Sequence, residues 1–334
     1  MAAPPIGHQQ QAPPSINPIT SMSEPWPSPA HLAAATTTHR QGAFAISSRK
    51  LPISKAGPIE AMEKALRIPV PEMIFGDNVV SVAHVPTGWR IEFAARDALD
   101  AVDKTGANML QVAHAGEWSA SREQTSAGIR EVVRPFDWSY STTYKGTVVV
   151  EPTSDCEAGD VGGTDAVDAA TGSNDNDSSS GSSGERRSSG RRRPLEFAPT
   201  TEPIPIELLK RRDPIRFFDD VMLYESELDD NGISVLSVKL RVHDERMLLL
   251  CRLYMRLDNV VCRIRDTRVY VDFASEVVTR EYTAKEASFS DVKHKLLISG
   301  LRPDGITIAL RDANRMAEIL PIVSHTLESV SLAS

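Results

Sequence analysis

Six carboxylates fall within the sixteen residues FFDDVMLYESELDDNG, positions 217 to 232, with no Lys or Arg among them. Acid at that density could ligate a metal, pair a general acid with a general base, dock a basic partner, or lie on the two arms of a hairpin. A calcium loop of the EF-hand kind needs carboxylates at alternate positions, Gly at the sixth and a bidentate Glu at the twelfth, between two helices. Counting from Asp219, the sixth residue is Tyr224 and the flanks alternate as strands do, so spacing and context both fail. Asn231-Gly232 instead fits a tight turn, because both residues tolerate positive φ. A solvated hairpin tip explains that turn, though not the acid on the incoming strand.

Other constellations are equally sparse. The sequence has no GxSxG, no Gly-rich loop ending in Lys-Ser or Lys-Thr, no HExxH and no GxGxxG after a strand. The eight histidines are scattered without metal-ligand spacing, and His84 and His114 at strand ends read as packed or hydrogen-bonded rings. Cys156, Cys251 and Cys262 form no CxxC, so neither a disulfide framework nor a zinc site is implied. Cys251 and Cys262 could face each other across adjacent strands, yet both alternate with core residues, as buried small hydrophobes do. In RPFDWSYSTTYKGT (134 to 147), Phe136, Trp138, Tyr140 and Tyr144 could form a stacking platform for single-stranded nucleic acid. One Lys in that stretch and a net charge of −8 weigh against it. An extended segment with one packed face is the alternative.

The elements that must position these residues are mostly strands. AFAISSRKLPI (43 to 53) supplies one, and GPIEAMEKALR (57 to 67) a helix with Pro58 at its start. IFGDNVVSVAHV and WRIEF read as a hairpin across a PTG turn, followed by a helix at 96 to 103 and a strand MLQVAHA at 109 to 115. After a short helix at 205 to 211, residues 215 to 273 alternate apolar and polar side chains. In RMLLLCRLYMRL, Leu249, Cys251, Leu253, Met255 and Leu257 oppose Leu250, Arg252, Tyr254 and Arg256. VVCRIR and RVYVDF read as two further strands joined at Asp266-Thr267, and short connections throughout imply an antiparallel meander. LRDANRMAEIL and PIVSHTLESVSL fit two helices meeting at Pro321.

Apolar content of 41% supports a core, unevenly distributed along the 334 residues. Residues 1 to 41, rich in Pro, Ala and Gln, are expected to form a disordered tail. Residues 151 to 203 are expected to form a disordered insert, an acidic Gly/Ser stretch followed by the basic ERRSSGRRRP. Residues 42 to 150 and 204 to 330 then make one domain, because strand-like sequence runs into the insert and out of it. No apolar run is long enough to span a membrane, and the cysteine usage points to a reducing compartment, the cytoplasm. In the insert, Ser188 and Ser189 lie beside arginines as basophilic kinases prefer, and the same cluster could direct nuclear import; a solvated linker is the bland alternative.

Several segments together resemble the TIPRL family of TOR-signalling regulators. They are PEMIFGDNVV, IEFAARDAL, RPFDWSYSTTYKGT, IRFFDDVMLYESELDDNGISVLSVKLRV, DTRVY and REYTAKEAS, in the family's order, spanning most of 44 to 290 apart from the insert. The resemblance implies a monomeric α+β fold of antiparallel sheets, meander and sandwich-like, with a few flanking helices. It implies a protein without catalytic residues, metal or cofactor, which does not act on nucleic acid or membrane. Its expected partners are catalytic subunits of type 2A-family serine/threonine phosphatases (2A, 4 and 6), held through their C-terminal tail. Carried over residue by residue, the contact positions are Asp97, Ile204, Ile264 and Asp266. Against that regulator stand two alternatives: a metal-dependent enzyme using the 217 to 232 carboxylates, and a nucleic-acid adaptor using the aromatic stretch.

Overall fold

A computed structural model describes residues 27–105, 136–151 and 195–333. Among these, thirteen strands form two antiparallel sheets with seven helices, the α+β class expected. The smaller sheet has five strands, in the order β1 (Thr36–Gln41), β2 (Phe44–Arg49), β4 (Val79–His84), β5 (Trp89–Ala94) and β6 (Thr147–Val150). The larger has eight. Its centre is an uninterrupted meander of β8 (Phe217–Ser226), β9 (Gly232–Val242), β10 (Arg246–Leu257), β11 (Val261–Asp272), β12 (Val277–Ser288) and β13 (Ile322–Ser331). Two-residue strands close its edges, β3 (Met73–Ile74) beside β8 and β7 (Ala198–Pro199) beside β13.

The two sheets share one core. Phe44, Ile46, Val80, Val82, Trp89, Ile91 and Phe93 come from the smaller sheet, and Val221, Leu236, Val238, Leu240, Leu249, Cys251 and Leu253 from the larger. These side chains sit at alternate positions because successive residues of a strand face opposite sides. Each fully buried Leu, Ile or Phe contributes about 2 kcal/mol of hydrophobic stabilisation. On the far side of the larger sheet, α5 (Phe289–Ile298), α6 (Pro303–Ala309) and α7 (Ala313–Ile319) cover Tyr254, Cys262 and Ile264 in a second core. Ser288 caps α5 by accepting from the Asp291 N–H, and Asp312 caps α7 at Asn314 and Arg315. The remaining helices are α1 (Pro29–Ala34), α2 (Ala56–Leu66), α3 (Ala95–Asp100) and α4 (Ile206–Lys210).

Asp219 answers part of the question raised by its acidic stretch. It is buried between the sheets, where Ser48 of β2 and Lys50 donate to its carboxylate. Its neighbour Asp220 faces solvent and pairs with Lys239 at 2.9 Å on the adjacent strand. Acid on the incoming strand is therefore used to join sheet to sheet and strand to strand.

Several local expectations are corrected. The turn after β8 does not use Asn231-Gly232; the left-handed residues are Leu228, Asp229 and Asp230. Gly232 already belongs to β9, where an added Cβ would meet the Arg256 carbonyl at 1.9 Å, and the Asn231 side chain donates to the Leu228 carbonyl. Asp266-Thr267 is no turn, because β11 runs unbroken from Val261 to Asp272 in register with β10. Cys251 and Cys262 do not face each other: Cys251 pairs with Thr267 and Cys262 with Arg256, and the two thiols lie in different cores. Met73–Ile74 leaves the expected hairpin to pair with β8.

The largest difference is at the C-terminus. Residues after Pro321 form β13 rather than a second helix. IVSHTLESVS is rich in β-branched and hydroxyl residues, which lose side-chain freedom in helices and suit a pleated surface, and β12 offers an open edge. The expected bounds of the tail and insert take in ordered elements. Residues Pro29–Ala34 and Thr36–Gln41 form α1 and β1 inside the expected 1 to 41 tail, and β7 lies inside the expected 151 to 203 insert. The strand expected at 109 to 115, with His114, Cys156, Ser188 and Ser189, lies outside the described residues.

Candidate partner-binding face

The shared core does not extend along the whole inner face of the larger sheet. On β11 the inward positions run Val271, Val269, Thr267, Arg265, Arg263, and on β12 Val278, Arg280, Tyr282, Ala284, Glu286. Val269, Val271 and Val278 at one end belong to the core, as does Val261 at the far end of β11, and the stretch of Arg263 and Arg265 next to that far end is charged. The segment from Asp137 to Gly146 crosses this charged stretch. Thr267 donates to the Tyr144 carbonyl at 3.0 Å, and Arg280 donates to the Lys145 carbonyl at 3.3 Å. Arg263 reaches Ser141 at 3.3 Å, and Lys145 reaches Thr326 of β13 at 3.0 Å.

Two glutamates order the cations. Glu286 accepts from Arg263 and Arg265, each at 2.7 Å. Glu328 accepts from Arg280 at 2.8 Å and lies 3.6 Å from Lys145. Burial alone would raise the Glu286 pKa, but the two arginines outweigh it and hold the carboxyl below its usual range. Four cations here meet Glu286 and Glu328, with the buried Asp137 facing Arg263 and Asp97 at the margin. Each guanidinium is held at a fixed angle by further bonds, Arg265 to the Ile264 and Lys285 carbonyls, Arg263 to Ser141 and Arg280 to the Lys145 carbonyl, and such preset forks suit recognition of a carboxylate or an extended chain.

One atom here lacks a partner. Tyr282 is 5% exposed, its hydroxyl makes no hydrogen bond among the described residues, and the Lys145 ammonium lies 5.4 Å from its ring. A buried donor without an acceptor is costly, so it reads as a group waiting for one.

Asp97 adjoins this face. In the first turn of α3 it accepts from Thr147 at 2.5 Å, and Thr147 contacts the Tyr144 hydroxyl, which donates to the Glu92 carbonyl. The other three carried-over residues lie elsewhere. Ile264 and Asp266 occupy the opposite side of β11, Ile264 fully buried beneath the helices and Asp266 1% exposed, gripped by Arg252 through two bonds of 2.7 Å and approached by Arg268 at 3.5 Å. Ile204 is buried just before α4. The structure therefore brings Asp97 to the charged face, with Ile264 and Asp266 on the opposite side of β11.

Arg263, Arg265, Arg280 and Lys145 were missed because their signal is one of phase. In VCRIRDTRVYV the odd-numbered positions share a face with Val269 and Val271, so Arg263 and Arg265 stand where a core residue would be expected. Charge on a core-facing phase marks a place where the core is open.

The groups that could have carried chemistry are otherwise occupied. His84 is 1% exposed, bonded to Thr87 at 2.9 Å and tilted against Phe44, and burial lowers its pKa. Burial pushes the Cys251 thiol up, and that of Cys262 up to about 12, so neither is a thiolate near neutrality. Phe136, Trp138 and Tyr140 are buried against the core rather than displayed, and the Tyr140 carbonyl accepts from Tyr224 at 3.0 Å.

The sequence compares closely with known proteins. The profile of the TIP41-like family matches residues 73–293. A human TIP41-like protein is 33% identical over 298 residues, covering 88% of this chain and 90% of that protein. A Dictyostelium discoideum TIP41-like protein is 34% identical, covering 87% and 92%. The type 2A phosphatase activator TIP41 of Saccharomyces cerevisiae is 33% identical, covering 86% of this chain and 72% of that protein. A match of this extent and identity places the chain in the TIP41-like family.

Proposed function

We propose that this protein is a non-catalytic regulator that binds the catalytic subunits of type 2A-family phosphatases (2A, 4 and 6) through their C-terminal tails and modulates their activity or assembly in TOR signalling. Two relatives bear the name of type 2A phosphatase activator, which supports the partner. The observation that carries the reading is the cluster of ordered cations on the inner face of β11 to β13, with the Tyr282 hydroxyl left without an acceptor among the described residues. A chain terminus supplies a carboxylate for those donors, and an extended backbone supplies carbonyls.

Asp97, partly exposed beside Thr147, contacts the partner directly in this reading. Ile204, Ile264 and Asp266 are buried by the chain itself and act by fixing the strands and helices that frame the docking surface. The reading is tested by titrating the purified chain with a synthetic peptide of a type 2A catalytic subunit's last residues. Saturable binding that weakens in Arg265→Ala and in Asp97→Ala supports it. Absence of binding by the folded protein overturns the tail as the contact, and retained binding of the whole catalytic subunit would then move the interface elsewhere.

A further inference from the structure

The outer face of the larger sheet is covered unequally. One end lies under α5 to α7. At the other end, the chain from Ile204 to Arg216, containing α4, crosses as a strap. Arg246 fastens it, with its side chain 3% exposed and its guanidinium donating to the Leu208 carbonyl at 2.7 Å and to Asp213 at 2.5 Å. Between strap and strands lies a groove of about 290 Å³, lined by Leu209, Arg212, Ile215, Arg241, His243 and Leu248 among others.

Two independent features converge on this groove. Ile215 in the groove is 50% exposed, and beside it Phe218, 55% exposed, pairs in register with the groove residue Arg241, while Ile206 of α4 on the strap is 61% exposed. Contiguous exposed apolar side chains with a polar rim mark interaction sites. The rim is cationic: Lys210 bridges Glu207 and Arg211 bridges Asp213, whereas Arg212 and Arg241 have no ion-pair or hydrogen-bond partner among the described residues. Asp213, the carboxylate lining the groove, is already taken by Arg246 and Arg211. On a chain of net charge −8, a groove with free guanidinium groups and an apolar floor is a local exception. Its volume admits one or two side chains rather than a whole small-molecule ligand.

We infer that this groove docks an acidic segment of a protein partner, one apolar or aromatic side chain seated against Leu209, Ile215 and Phe218 and its flanking carboxylates on Arg212 and Arg241. It lies on the opposite face of the sheet from the charged surface of β11 to β13, so the two can be occupied together, and the inference stands apart from the phosphatase reading.

The test is fluorescence anisotropy of the full chain with a labelled probe, Glu-Glu-Leu-Phe-Glu-Asp-Phe-Glu, and a control in which every acid is Lys. The expected result is saturable binding of the acidic probe alone, weakened about tenfold by Arg212→Glu with Arg241→Glu and weakened also by Phe218→Ser. All three positions are on the surface, and circular dichroism confirms that the variants fold. No saturable binding, equal binding of both probes, or unchanged affinity in the double variant overturns the inference. Self-association abolished by Phe218→Ser would assign the groove to a second copy and overturn it too. Probe binding that appears only after the acids between 155 and 185 are neutralised would assign it to the chain's own acidic segment, with the same consequence.

Discussion

Asp219 and Asp266 show how the same residue type serves two ends of the fold. At Asp219, burial raises the pKa, but hydrogen bonds from Lys50, Ser48 and the Asp220 N–H outweigh it and leave the carboxyl below its usual range. A folded-state pKa below the unfolded value of about 3.9 contributes stability that is complete above that value and lost as pH falls through the folded pKa. Asp219→Asn is expected to cost about 1 to 2 kcal/mol at neutral pH, mostly from the buried Ser48 contact, since the half-exposed Lys50 adds little in water. The variant should also lose less stability than the parent as pH drops below about 4, as urea unfolding across a pH series would show. Asp266 is a different case, a buried carboxylate whose removal strands Arg252 beneath α7. Asp266→Ala is expected to lower unfolding free energy by about 3 kcal/mol. Any effect of that variant on binding must therefore be measured at a temperature where it remains folded.

The meander was legible at the level of elements because its alternation is strict. Leu249 to Leu257 on β10 point into the shared core as their spacing implies, and the short helix before β8 falls where Pro205 starts it. What alternation does not encode is where a strand stops. Asp266-Thr267 looks like a turn locally, yet twelve residues of β11 pair with β10 and override it. The C-terminal strand escaped for the same reason: IVSHTLESVS accepts either period, and the free edge of β12 decides. Gly232 leaves no room for a Cβ against the Arg256 backbone of β10, so Gly232→Ala is expected to cost about 2 kcal/mol by forcing the strands apart. Thermal unfolding would register it, and a variant as stable as the parent would show that this strand contact relaxes freely. The charged face was half legible. The family resemblance reached Asp97, while Arg263 and Arg265 required knowing which side of β11 meets the other sheet.

At the scale of the molecule, two sheets give a frame whose inner face holds a charged stretch crossed by the 137 to 146 segment and whose outer face is closed at one end by helices and at the other by a strap. The inner face carries the cations of β11 to β13 and is expected to bind the phosphatase; the outer face carries the groove of Arg212 and Arg241. Because the proposed contacts are charge-assisted on a protein of net charge −8, phosphatase affinity should fall as salt rises from low to physiological strength. The most direct test is calorimetric titration of the full chain with a purified type 2A catalytic subunit, comparing the parent with Arg263→Ala/Arg265→Ala. A saturable complex is predicted for the parent, weakened by about tenfold or more in the variant, as expected when arginines at the centre of an interface are removed. No complex with the parent, or equal affinity for a variant shown to be folded, would contradict the account.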